Sequence, residues 1–272
     1  MPRVRCEDVS EAIAPLDPGY ADLLDRVVDV AADDERVRAM WLTGSVGRGV
    51  ADAGSDLDVV LTVTDPAAYG DPITWAVLDP VITTPIPGRP GCRAFTTRLG
   101  LRLDLLLETP ADLPGSPYTH RVRVLDRDGL EPPAPVDDRR GPDLGRMQEL
   151  VTEFLRQSAI FPAAVVARED WLLGQVAVHN YQRLLYDLVV ESNRPLPSMG
   201  IKQWSRRLTP EQRDLLSALP APAADRDSVV RAMAAAREAL RTHGRAALEA
   251  AGGVWPDDVD AALAAYWERQ GL

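Results

Sequence analysis

The chain has 272 residues, 46% apolar and 26% charged, enough for one large core or two small ones at ordinary charge density. Its 30 basic and 41 acidic residues leave a net charge of −11, which argues against gripping a long polyanion and favours a small or cationic partner. Cys6, Cys92 and the scattered His120, His179 and His243 fit neither a disulfide framework nor a zinc site. In chain order, Tyr20, Leu23, Leu24, Val27, Val28 and Ala31 form one stripe and predict a helix over 19–32. A short apolar strand follows at Met40–Thr43, then a glycine-rich turn from Gly44 to Ser55. Asp56–Val63 is rich in β-branched residues and reads as a strand. Residues 66–78 read as a short helix with Asp65 as cap and Pro66 in the first turn. Residues 79–108 read as strands and turns ending in Leu101–Glu108, and Arg121–Asp126 as a further strand.

Beyond that strand the composition changes. Glu131–Pro142 holds four prolines and reads as a linker. After it the pattern is helical over about 144–160, 162–191, 210–218, 226–251 and 257–269. The fold expected is α+β: a mixed sheet-and-helix domain over 1–140, then an all-helical domain over 141–272 that lines the substrate and nucleotide cleft. On the long helix, Trp171, Leu172, Leu185, Leu188 and Val189 are expected in its core. The alanine-rich last helices suit packing or a dimer surface, so a monomer and a homodimer both remain open. No apolar run reaches the roughly 18 residues of a membrane span. The amino-terminal residues lack the apolar core of a signal peptide, so a cytoplasmic protein is expected.

The chemistry concentrates in Leu42–Val63, LTGSVGRGVADAGSDLDVVLTV. Gly44-Ser45 follows a short strand, and after ten intervening residues Asp56-Leu57-Asp58 opens the next. Side chains two apart on a strand share a face, which puts Asp56 and Asp58 about 6–7 Å apart. Two carboxylates there repel unless a cation lies between them. Asp104, inside the strand LRLDLLLE, brings a third acid that an apolar strand tolerates only when it is paired or metal-bound. Three such acids suit two Mg²⁺ ions about 3.5–4 Å apart, the clamp for in-line phosphoryl displacement. Gly44 permits close approach of backbone to a phosphate. Ser45 adds a hydroxyl and an N–H at the start of a turn.

This arrangement resembles the nucleotidyltransferase superfamily of DNA polymerase β type. The size and the helical second half look like its antibiotic nucleotidyltransferases, which act on aminoglycosides or lincosamides. The resemblance implies a nucleotidyltransferase-type mixed sheet, ATP as co-substrate, two Mg²⁺ ions, and transfer of AMP to a hydroxyl with release of pyrophosphate. It implies that Gly44 and Ser45 hold the triphosphate and that Asp56, Asp58 and Asp104 hold metal. The segment Leu196–Trp204 resembles the feature of that family that brings a cation to the triphosphate, and Lys202 is the residue carried over.

Other residues are open to two readings. Arg48 and Ser55 reach a phosphate or belong to the turn. Gly47, Gly49 and Gly54 shape the loop or merely loosen it. Asp104 is the candidate general base, with Glu169 as the second candidate. Glu169 and Asp170 recognise substrate amines or sit favourably at a helix start, and Tyr181, Asp187 and Glu191 extend the same idea. The expected partners are ATP and a small hydroxyl-bearing acceptor, an aminoglycoside-type antibiotic with a cationic character that the acidic balance suits. The absence of a basic stripe argues against nucleic acid. A protein hydroxyl, another metabolite, or a catalytically silent nucleotide-binding relative stand as alternatives.

Overall fold

The computed structural model describes residues 7–69, 72–134, 141–195 and 205–272. The chain divides into two compact units, one ending at Asp137 and the other beginning at Asp138.

The first unit opens with helices α1 (Glu7–Ile13) and α2 (Gly19–Asp33). Leu23, Leu24, Val27 and Ala31 recur at three- and four-residue spacing, so α2 buries one stripe. Six strands follow: β1 (Val37–Leu42), β2 (Leu57–Val63), β3 (Pro80–Pro85), β4 (Arg93–Thr97), β5 (Arg102–Glu108) and β6 (Val122–Asp126). They form one sheet in the order β3-β4-β5-β2-β1-β6. Its neighbours are antiparallel except β2 and β5, which run parallel. Alternation splits the side chains into two faces. Met40, Leu42, Leu57, Val59, Leu61, Leu103 and Leu105 join the core with α1 and α2. The other face carries a smaller cluster of Ala39, Trp41, Val60, Cys92 and Leu106. Asp58, beside Val60, and Asp104, beside Leu106, share that second face by alternation.

Three local expectations change. β1 begins at Val37 and ends at Leu42; charged Arg38 hides its first half, and that guanidinium pairs with Asp128. Residues 66–78 form two 3-10 stretches, Pro66–Tyr69 and Pro72–Leu78. Asp65 still caps the first, accepting from the Ala67 N–H at 3.1 Å. Asp56 lies just ahead of β2, not inside it.

The second unit is helical: α4 (Leu144–Phe161), α5 (Trp171–Ser192), α6 (Pro210–Ala218), α7 (Arg226–Ala239), α8 (Arg245–Ala250) and α9 (Asp257–Arg269). Its helix starts are written in cap residues. Asp143, Asp170 and Asp225 each accept a backbone N–H at 2.8–3.0 Å, and Thr209 with Gln212 makes a capping box. Phe161 stacks on Trp267 with centroids 5.4 Å apart, and Phe154 lies 5.0 Å from Tyr181. The helix expected over 162–191 is interrupted. A π-helical turn, Pro162–Val166, is followed by Glu169 in the left-handed region at φ 53, and Asp170 starts α5 afresh. Leu185, Leu188 and Val189 are in the core as expected, but Leu172 is 70% exposed. Among the described residues no helix is long and apolar enough to cross a membrane.

Candidate active site

The site is built where β1, β2 and β5 run side by side. As the chain leaves β1, the Thr43 N–H donates to the Asp58 carbonyl at 2.9 Å. The Thr43 hydroxyl donates to the His120 carbonyl at 3.0 Å. A single helical turn, α3 (Gly44–Gly47), follows. Gly44 is left-handed, at φ 62, and a Cβ there would stand 1.7 Å from Asp58 Oδ2. Only glycine lets this backbone lie against that carboxylate. Gly47 has a different reason: a Cβ would stand 2.3 Å from the His120 carbonyl oxygen.

The acids are placed by register. Asp58 on β2 is the direct partner of Asp104 on parallel β5, so their Cα atoms are one strand spacing apart, about 4.8 Å. Asp56 is held from the side, with its Oδ2 3.9 Å from Arg102 Nη1. Arg102 also donates to the Gly54 carbonyl at 2.9 Å and, through its N–H, to the Tyr20 hydroxyl at 3.1 Å. The loop ahead of the acids is thus pinned to β5. Asp58 and Asp104 are neighbours, while Asp56 leans on a guanidinium. Among the described residues no group of three or more Asp, Glu, His or Cys is gathered closely enough to hold a metal ion.

Two polar atoms in the turn are left over. Ser45 Oγ and Arg48 Nε are buried and have no hydrogen-bond partner among the described residues. Burial pulls the Arg48 pKa down, and the Asp58 carboxylate partly opposes this. Groups buried without partners are costly. A hydroxyl and a guanidinium beside a glycine-opened backbone and two carboxylates fit a phosphate chain accompanied by a divalent cation.

The remaining candidates fall elsewhere. Ser55 is occupied. Its hydroxyl donates to Asp52 Oδ1 at 3.2 Å and accepts from the Asp52 N–H at 3.0 Å, so it builds the loop. Glu169 is exposed in the helical unit, in the turn before α5, and Asp170 is the cap of that helix. Tyr181 is 2% exposed in the aromatic core, and Glu191 is a buried acceptor for the Asp143 N–H and an ion-pair partner of the Arg194 guanidinium. Both side chains are packed or bonded inside the helical unit. Lys202 and Trp204 lie outside the described residues. Sequence reasoning missed Thr43, Arg102 and the His120 carbonyl, whose roles come from distant chain. It also left Gly47 undecided, for the same reason.

A family model described as streptomycin adenylyltransferase matches residues 19–77. That segment holds Gly44, Ser45, Arg48, Asp56 and Asp58, and ends before Asp104. The match supports an enzyme, a nucleotidyltransferase, on the residues from which that resemblance was read. Among solved structures, the chain is similar to an aminoglycoside 6-adenyltransferase from Bacillus subtilis, at TM-score 0.42 and 18% identity over 91% of this chain and 97% of that one. It is also similar to a CCA-adding enzyme from Thermotoga maritima complexed with tRNA, at TM-score 0.37 and 16% identity over 78% of this chain and 60% of that one. No curated protein sequence matches the chain.

Proposed function

We propose that the chain transfers AMP from ATP to a hydroxyl of a small acceptor, an aminoglycoside-type antibiotic, and releases pyrophosphate. The observation that carries this reading is the pair of buried, unpartnered atoms, Ser45 Oγ and Arg48 Nε, beside Gly44 and the paired Asp58 and Asp104. Together they want a polyanion on one side and a cation on the other. Asp58 and Asp104 are the residues that would hold Mg²⁺; on this reading Asp56 leaves Arg102 to join them, and the completed set takes two ions. Bound there, the metal supplies charge neutralisation for the phosphates and acidifies the acceptor hydroxyl.

The chain's own residues do the rest. The Gly44–Ser45 backbone lies against the phosphates, the Ser45 hydroxyl donates to a phosphate oxygen, and Arg48 offsets the triphosphate charge. Lys202 adds a second cation on this proposal. The acceptor oxygen bonds to the α-phosphorus as the bond from that phosphorus to the bridging oxygen breaks, and the leaving pyrophosphate keeps that electron pair. Asp104 takes the hydroxyl proton, because register already sets it beside Asp58; Glu169→Gln tests the alternative base. The net charge of −11 raises the local concentration of a polycationic acceptor.

The test is pyrophosphate release with ATP and Mg²⁺ against a panel of aminoglycosides and lincosamides, with Asp58→Asn alongside. Release that requires one drug and vanishes in the variant supports the proposal and names the acceptor. ATP–Mg²⁺ binding without release for any drug transfers the reading to another metabolite or a protein hydroxyl. Absence of ATP–Mg²⁺ binding refutes the site.

A further inference from the structure

The sheet face that carries Asp58 and Asp104 carries a second polar row further along. Thr62 stands four residues after Asp58 on β2, and Glu108 four after Asp104 on β5; the register pairs them as it pairs the two acids. Glu108 is buried, and it faces Arg121, whose side chain is 0% exposed. Arg121 donates through Nη1 to Glu108 Oε1 at 2.6 Å and through Nη2 to Oε2 at 3.0 Å. Nη2 also donates to the Ser116 hydroxyl at 2.6 Å, and Nε donates to the Tyr118 carbonyl. The Thr62 hydroxyl donates to Glu108 Oε1 at 3.1 Å and accepts from Trp41 Nε1 at 3.2 Å.

A buried ion pair is a poor source of net stability, because desolvating both charges offsets their attraction. A fully bonded network does fix geometry. This one joins four pieces of chain. Trp41 is on β1, one residue before Leu42 and the turn that follows; Thr62 is on the strand of Asp58; Glu108 is on the strand of Asp104. Arg121 directly follows His120. The His120 carbonyl accepts the Thr43 hydroxyl at 3.0 Å and fills the space where a Gly47 side chain would be. The network therefore holds both the acid-bearing strands and the seat of the Gly44–Arg48 turn.

We infer that the Glu108–Arg121 pair is a positioning device: it holds the His120 carbonyl, and through it the Gly44–Arg48 turn, in register with Asp58 and Asp104. Neither residue touches substrate. The inference rests on the proposed nucleotidyl transfer.

Arg121→Lys keeps the charge and loses the two-pronged geometry. In the full chain, checked for fold by circular dichroism, it should raise KM for ATP about tenfold or more and lower kcat/KM for ATP about 100-fold, the scale of a 1 Å misplacement. KM for the acceptor should stay within about threefold. ATP–Mg²⁺ affinity by calorimetry gives the same readout without any acceptor. A purely structural role lowers the melting temperature and leaves these constants unchanged per folded molecule; that result overturns the inference. Should Arg121→Lys fail to fold, Thr43→Val cuts the last link and leaves the pair intact. It must then reproduce the loss of ATP affinity, and an unchanged affinity overturns the inference equally. The two readings fail differently: wild type that binds no ATP–Mg²⁺ removes the parent proposal and this one, whereas wild type that binds it with both variants unaffected removes only this one.

Discussion

Replacing Gly44 by alanine separates the stability of the turn from its chemistry. Two costs arise at the same carbon. The first is backbone: φ is 62, and a non-glycine residue held in the left-handed region costs about 1–2 kcal/mol. For a unit of this size that lowers the melting temperature by about 3–8 °C. The second is steric and falls on one group. The new methyl would lie 1.7 Å from Asp58 Oδ2, whereas ordinary contact begins at 3.4 Å, so the carboxylate must retreat by about 1.7 Å. It is the end of a side chain and can rotate, so the fold survives. The acid is then displaced from its place opposite Asp104. A displacement on that scale costs about 100-fold in kcat/KM or more, about 2.7 kcal/mol of barrier. The assay pairs scanning calorimetry with ATP–Mg²⁺ titration and pyrophosphate release, run well below the melting transition. Folded Gly44→Ala protein whose ATP–Mg²⁺ affinity and turnover stay within about threefold of wild type would refute the argument that this carboxylate and this backbone form one site.

Other sites give independent checks. Gly47→Ala meets backbone, the His120 oxygen at 2.3 Å, so it should cost about 1–3 kcal/mol in urea unfolding; Gly54→Ala, with its nearest contact at 3.5 Å, should change stability by under about 0.5 kcal/mol, and equal losses would contradict the packing. Gly174→Ala in α5 gains about 0.5–1 kcal/mol of helix preference, but its Cβ would stand 2.7 Å from Val229 Cγ1 and 3.0 Å from Val165 Cγ1. Overpacking of about 1–3 kcal/mol should win, and a stabilised variant would show that α5 and α7 are less tightly packed than described. Arg156 and then Gln157, hydrogen-bonded to Glu153, hold its carboxyl down at about 2 from 4.5. That contribution is full above about pH 4.5 and lost as pH falls towards 2, so Glu153→Gln should trail wild type most at neutral pH, by about 0.5 kcal/mol for so exposed a pair. A gap that widens on acidification would reverse the assigned sign.

Much of the frame was legible because it rests on local patterns. The stripe of α2, the β-branched run of β2 and the apolar run ending at Glu108 each identify their element within a residue or two. The Gly44-Ser45 and Asp56–Asp58 signal was legible for the same reason, since it lies within one stretch of chain. What stayed hidden depends on partners far away in sequence. Nothing near Gly47 announces that the His120 carbonyl will lie against it, and nothing near Asp104 announces that its register partner is Asp58. Ser55 reads equally well as a phosphate ligand or a turn residue, and its two bonds to Asp52 belong to the turn. Leu172 shows the limit of composition: a leucine at the start of a helix is apolar whether or not anything covers it. The interruption before α5 hides because Glu169 takes the left-handed conformation without being glycine, while Asp170 ends one element and opens the next.

The parallel joint between β2 and β5 also governs when the protein becomes competent during synthesis. The chain from Thr64 to Leu101, with β3 and β4 inside it, must be made before the strand of Asp104 can settle beside that of Asp58. Closing so long a loop is slow and pays off only at the end. A nascent chain halted after β4 would own the glycine turn and one acid of the pair, with β1 beside β2, yet lack the strand that brings Asp104. The earliest residues of the site therefore wait on the later ones.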